Sequence, residues 1–170
     1  MKNIKLISLF MTVSMASANV AYGSPKSLCN ANENVFFSCS LGKKTVSLCA
    51  IDNGTASDYL EYRFGTPAKI ELRYKGTATD SPLKFKRSEV TYASNAATIV
   101  WFKNSETNYL LHFPVDGGPL LEVIKDGKTI AEPSCKNGWA NVVGNPATPS
   151  KAIQEIPSGN VSEMSKNWGK

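Results

Sequence analysis

The chain has one histidine, no two cysteines closer than ten positions apart, and beyond residue 23 no apolar run approaching the length of a membrane span. Each lack excludes a class of function. A single His112 and cysteine gaps of nine, nine and eighty-five residues supply neither the C-x₂₋₄-C knuckles nor the clustered imidazoles of a zinc site. A transmembrane helix needs about 20 apolar residues, and no segment offers them. No G-x-S-x-G elbow accompanies the histidine, so the usual setting of a Ser-His-Asp hydrolase is missing. Basic residues stand singly between apolar ones, apart from Lys43-Lys44 and the group Lys84, Lys86 and Arg87, which is not the continuous stripe that tracks a phosphate backbone. Nucleic acid is therefore not an expected partner. Before residue 136 helical periodicity is also missing.

At the N-terminus Lys2 and Lys5 precede an apolar run from Leu6 to Met15, and small residues follow at Ala16, Ala18 and Ala21. That order reads as a secretory signal peptide over residues 1–23, cut after Gly23 or after Ala18. Cutting at Gly23 removes two lysines, leaving 19 − 2 = 17 basic against 14 acidic residues, a mature net charge of +3. The remaining 170 − 23 = 147 residues suffice for one domain with a real core. The expected organisation is a β domain over 24–136 and a Pro/Gly/Asn/Ser-rich, largely mobile tail over 137–170. Within that tail Thr148-Pro149 is placed to start one helical turn, with Pro at the first helical position, and Trp139 or Trp168 to dock on the domain. The expected location is the periplasm or the medium, with the chain a monomer that requires no cofactor or metal.

Export places Cys29, Cys39, Cys49 and Cys135 in an oxidising compartment, where an even count of thiols predicts two disulfides. In "FFSCSLGKKTVSLCA" a two-residue turn at Gly42-Lys43 pairs strand residues whose numbers sum to 85. Phe37 then faces Leu48, Cys39 faces Val46, and Val35, Phe37, Cys39, Leu41, Val46, Leu48 and Ala50 form one apolar face. Cys49 lies on the other face beside Phe36. The two cysteines point to opposite sides and are not expected to bond to each other. Of the three connectivities, Cys29 with Cys49 and Cys39 with Cys135 is favoured.

Further along, "DYLEYRFGTPAKIELRYK" alternates strictly, and pairing by a sum of 134 sets Glu61 opposite Arg73 and Arg63 opposite Glu71 as crossed ion pairs on a solvent face. Strands are also predicted at 83–87, 89–93, 98–103 and 108–115, with a hairpin over Asn104–Thr107. A second hairpin is centred on Asp126-Gly127, a strong two-residue turn signal. Eight or nine short antiparallel strands predict an all-β fold, a small barrel or sandwich.

The motifs "LCNANENVFFSCSLGKKTVSLCA", "LEYRFG", "IELRY" and "KDGKTIAEPSC" resemble those of a group of small bacterial proteins that bear signal peptides, a resemblance that implies export and a β fold. More distantly the chain is similar to the periplasmic lysozyme inhibitors, small exported disulfide-bearing β domains. The C-type class of these carries a Ser-Gly-rich loop leading into a Tyr. The nearest stretch here, "TYASNAATIVW", lacks the glycines.

Candidate chemistry is sparse. His112 sits in "YLLHFPV" as a partly exposed strand residue, with Asp116 or Asp126 as conceivable partners for a small envelope hydrolase. Glu61 and Glu71 are close enough for paired-carboxylate work but each is expected to be occupied by an arginine. Trp101 reads as core. The sequons at Asn53 and Asn160 matter only in a eukaryotic secretory route. Lys43, Lys44, Lys84, Lys86 and Arg87 are the candidate binding residues. Lysines on strand edges also block aggregation, but ammonium groups on a loop can enter the acidic cleft of a partner enzyme and occupy its carboxylates. The expected function is thus a non-catalytic exported protein-binding domain, an inhibitor or immunity-type protein against a cell-wall-cutting enzyme. Lysozymes are usually basic, so a domain of charge +3 suits a different hydrolase or toxin better. A glycan-binding module is the remaining alternative.

Overall fold

The computed structural model describes residues 27–146 and 150–157, together with the backbone of Gly159 and Asn160. The signal segment 1–23, Thr148-Pro149, the side chain of Asn160 and Trp168 lie outside the described residues. The architecture is a sandwich. Strands β1 (Asn34–Ser40), β2 (Thr45–Ile51), β3 (Tyr59–Thr66) and β4 (Lys69–Thr77) form one antiparallel meander. Strands β5 (Phe85–Thr91), β6 (Ala96–Asn104), β7 (Thr107–Pro114), β8 (Leu120–Lys125) and β9 (Lys128–Ala131) form a second. The nine antiparallel strands match the expected all-β class.

The main core lies between the sheets. Phe37, Val46, Leu48 and Tyr62 of the first sheet meet Val100, Phe102, Leu111 and Phe113 of the second. Phe102 is its hub, stacked on Tyr74 at 4.3 Å and on Tyr109 at 5.0 Å, with Tyr62 at 4.9 Å. Each such ring pair contributes about 0.5–1.5 kcal/mol beyond area burial. The outer face of the second sheet carries a smaller apolar cluster of Val90, Ala97, Ile99, Trp101, Leu110 and Ile124. Trp101, expected in the core, is 2% exposed there.

The first hairpin keeps its register from Phe37↔Leu48 to Ser40↔Thr45, and a bulge before Phe37 changes it. Val35 consequently pairs with Cys49, and Phe36 joins the core instead of Val35. In the second hairpin the sum-134 register is wrong by two residues, since Tyr62 pairs with Tyr74 and Arg63 with Arg73. The cause is the two-residue turn Pro67-Ala68 together with Gly65. Its φ of +146° makes a bulge next to the Pro67-Ala68 turn, a conformation that glycine adopts without the penalty a Cβ brings. A shift of two preserves which side chains share a face, so the alternation argument survives; of the two expected ion pairs Glu61 with Arg73 still forms, at 3.2 Å, whereas Arg63 turns to Glu33 and Glu61, and Glu71 to Lys44.

Disulfides join Cys29 to Cys49 and Cys39 to Cys135, the favoured pairing. Residues 28–33 are thereby strapped across the outer face of the first sheet, and residue 135 is tied to the first hairpin. The expected tail does not begin where contacts with the domain end. Gly138–Asn141 form a 3-10 turn, Val143 bridges to Ser38, and β10 (Ile153–Glu155) and β11 (Gly159–Asn160) run parallel to β5. Ala152 and Ile153 belong to the main core. Among the described residues no helix is long and apolar enough to cross a membrane.

Candidate functional site

The first hairpin presents a basic tip. Gly42 adopts φ +98° and the Leu41 amide donates to the Lys44 carbonyl at 2.8 Å, closing the turn. The Cys39–Cys135 bridge and a 2.8 Å bond from the Lys136 amide to the Ser40 carbonyl fix a second segment beside it. Lys136 is thus brought to the turn, its side chain alongside Gly42. Lys44 is committed, with Nζ 2.6 Å from Glu71 and over the Phe64 ring at 5.0 Å. Lys43 and Lys136 are exposed, and among the described residues neither ammonium has an ion pair or hydrogen bond. The sequence singled out Lys43 and Lys44. Lys136 was missed, although its place directly after Cys135, the partner favoured for Cys39, would have located it.

Lys84, Lys86 and Arg87 do not join this tip. Lys84 donates to the Lys75 carbonyl at 3.3 Å, towards the end of β4 remote from Glu71 and Lys44. Lys86 pairs across strands with Trp101 on the outer face, whereas Arg87 takes the opposite face and bonds Glu155 at 2.9 Å. The candidate binding residues therefore divide into Lys43 and Lys44 at the tip, Lys84 and Lys86 on one cavity, and Arg87 on the other face of β5.

Arg63 is also not a solvent-face residue. The strap covers it, leaving 2% of its side chain exposed and 1% of Glu33. Arg63 Nη1 and Nη2 donate to the two Glu33 oxygens at 2.6 Å each, Nη1 also to the Leu28 carbonyl at 2.9 Å, and Nη2 to Glu61. Tyr59 donates to Glu33 at 2.6 Å, and Arg73 reaches Glu61 at 3.2 Å. Desolvation works to raise the Glu33 carboxyl, but bonds from Arg63, Tyr59 and the Asn30 amide outweigh it and hold the group at about 2. Burial, then the bond to Glu33, pushes the Tyr59 hydroxyl up to about 12. These carboxylates are occupied by cations, which fits a structural lock. Sγ of Cys29 and Cys49 lie within 4.8 Å of a Glu33 oxygen, but both sulfurs are bonded to each other and Glu33 is bonded to Arg63, so the three are not a free ligand set.

His112 is mostly buried. Its Nε2 lies 3.0 Å from Glu122, whose other oxygen accepts from Thr129 at 2.6 Å. The His112 bond, against desolvation, lowers the Glu122 carboxyl. His112 and Asp116 line a cavity of about 460 Å³ with Tyr92 and Asn95. Asn95 is committed to the Asp116 backbone, donating to its carbonyl at 2.7 Å and accepting from its amide at 3.1 Å. Asp126 lies in the β8–β9 turn. The partner of His112 is Glu122, which the sequence reading did not consider. Trp139 is 40% exposed, with its ring 6.3 Å from Phe113.

No family model, curated protein or solved structure matches the chain.

Proposed function

We propose that the chain is an exported, non-catalytic binding domain whose basic tip enters an acidic cleft of a partner protein, with a cell-wall-cutting enzyme as the target. The single observation that carries this reading is a pair of ammonium groups without a partner among the described residues, Lys43 on the turn and Lys136 on the segment that a disulfide and a backbone hydrogen bond hold beside it. A rigid tip loses little conformational entropy on docking, so more of the gross interaction remains as affinity. Of the paired catalytic carboxyl groups of a glycan-cutting enzyme at least the base or nucleophile is an ionised acceptor in a partly water-excluded groove, and a charge-assisted bond to it is worth about 1.5–3 kcal/mol. Export to the periplasm or medium is part of the proposal, supported by the two disulfides.

The test is protection of peptidoglycan from lysis by a panel of hydrolases with paired catalytic carboxylates. The expected result is that the chain slows at least one of them, and that Lys43→Glu with Lys136→Glu weakens this at least tenfold. Protection unchanged by the double charge reversal, or no protection anywhere in the panel, rejects the reading. The His112–Glu122 contact favours a second one, a small envelope hydrolase in which Glu122 orients the imidazole. That reading requires the chain alone to release soluble peptidoglycan fragments, and His112→Ala to stop it.

A further inference from the structure

Where β4 ends, the segment Asp80–Lys84 closes against β5 and β6 around a cavity of about 420 Å³. Three lysines, Lys84, Lys86 and Lys103, line it, and Asp80 is the one acid among its lining residues. That leaves a lining charge of 3 − 1 = +2. Asp80 is also committed elsewhere, because its carboxylate accepts the Thr77 amide at 2.8 Å. Its distance to the Lys84 ammonium, 3.6 Å, is that of a loose surface pair. Lys103 has an equally loose neighbour in Glu106 at 3.8 Å, and that carboxylate is 77% exposed. Exposed pairs of this kind are worth about 0–1 kcal/mol, so these ammonium groups can take a better acceptor at small cost. The remaining lining is mostly apolar, with Tyr74, Pro82, Leu83, Trp101 and Phe102 beside Ser81.

We propose that this cavity is a binding site for an amphiphilic anion: a phosphate or carboxylate held by Lys84, Lys86 and Lys103, joined to an acyl or aromatic body that lies against the apolar lining residues. The volume is in the range that takes a small organic ligand, about 300–1,000 Å³. The lining argues for both halves of the ligand. A bare inorganic anion leaves the apolar part of the lining uncovered, and a neutral apolar ligand does not answer the +2 charge of the lining. Such an anion occurs either as a membrane lipid or as a free metabolite, and the two sources share the chemistry that the cavity recognises. The site is distinct from the basic tip and does not depend on it.

The test titrates the exported chain with decyl phosphate below its micellar concentration, followed by calorimetry and by tryptophan fluorescence. The expected result is saturable one-to-one binding that Lys84→Gln, Lys86→Gln and Lys103→Gln together weaken at least tenfold. Lys43→Glu with Lys136→Glu should leave it within twofold. Inorganic phosphate should need at least a hundredfold higher concentration. Competition by phosphatidylglycerol vesicles assigns the site to a membrane lipid, and lack of competition assigns it to a free anion. The proposal falls if decyl phosphate does not saturate, if the triple variant binds as tightly as the parent, if inorganic phosphate binds equally well, or if only vesicles are bound. Circular dichroism confirms that the variant is folded, and Lys103→Gln alone, at a side chain 39% exposed, provides a second reading of the same titration.

Discussion

Replacing Arg63 with Met removes the cation from beneath the strap and leaves Glu33 and Glu61 facing each other across it. Glu33 has 1% and Glu61 11% of its side chain exposed, so solvent cannot take the guanidinium's place. Stripping one partner from a buried pair costs about 3–5 kcal/mol. The depression of the Glu33 carboxyl from 4.5 to about 2, to which Arg63, Tyr59 and the Asn30 amide all contribute, gives an upper scale for the arginine's share. At about 1.4 kcal/mol per pH unit it corresponds to about 3 kcal/mol. In the parent this contribution is complete above about pH 4.5 and is lost as pH falls towards 2, because the folded carboxyl lies below the unfolded one. In Arg63→Met the sign reverses. Desolvation without the arginine lifts the Glu33 carboxyl above its ordinary value, so lowering the pH from 7 to 4 neutralises it and narrows the gap to the parent. Urea denaturation of both proteins at pH 7, 5.5 and 4 reads this directly. A difference under about 1 kcal/mol at pH 7, or one that does not shrink by pH 4, refutes the account of the lock.

The Cys39–Cys135 bridge closes a sequence separation of 96 residues, and the loop-entropy model assigns such a loop about 4–5 kcal/mol; Cys39→Ser with Cys135→Ser should lower the free energy of unfolding by most of that in a urea titration, and a loss under about 1 kcal/mol contradicts it. A Cβ at Gly76 would lie 2.8 Å from the Phe85 ring, so Gly76→Ala should cost about 1–3 kcal/mol by overpacking, seen as a lower melting temperature. An unchanged melting temperature shows that Phe85 moves aside freely. Tyr59→Phe removes the 2.6 Å bond to the ionised Glu33 and should cost about 1.5–3 kcal/mol at pH 7, with Glu33 titrating at higher pH by NMR than in the parent. A Glu33 titration that does not move rejects the role given to the hydroxyl.

Local turn chemistry made much of the fold legible. Gly42-Lys43 set the first hairpin register and with it the divergence of Cys39 from Cys49, and Asp126-Gly127 placed β8 and β9, joined by the pair Lys125↔Lys128. The second hairpin slipped by two because its turn is the two-residue Pro67-Ala68 and Gly65 adds a bulge, and the alternation of Leu60, Tyr62 and Phe64 is blind to an even shift. The lock was hidden by distance along the chain: Glu33 is 30 residues from Arg63, and nothing local marks residues 28–33 as a cover over a charged face. Glu122 escaped for a related reason. It meets His112 diagonally across β7 and β8, where His112 pairs with Leu120 and Leu110 with Glu122, so finding it required that register. β10 is three residues long and lies parallel to β5. A segment that short carries no readable period, and its partner lies some 70 residues upstream. Of the basic residues, Lys43 and Lys44 were found at a turn because turns are exposed, whereas the arrival of Lys136 depends on the disulfide.

The most direct test of the proposed role of the basic tip is a double-mutant cycle between Lys43 and the ionised catalytic carboxylate of whichever hydrolase in the panel the chain is found to slow most. Lys43→Met and the acid-to-amide change in the enzyme are made singly and together, and the dissociation constants are measured by calorimetry. The account predicts a coupling of about 1.5 kcal/mol or more, within the range measured for close interfacial charge pairs. Simple additivity of the two changes, or a panel in which no hydrolase is inhibited at all, contradicts it.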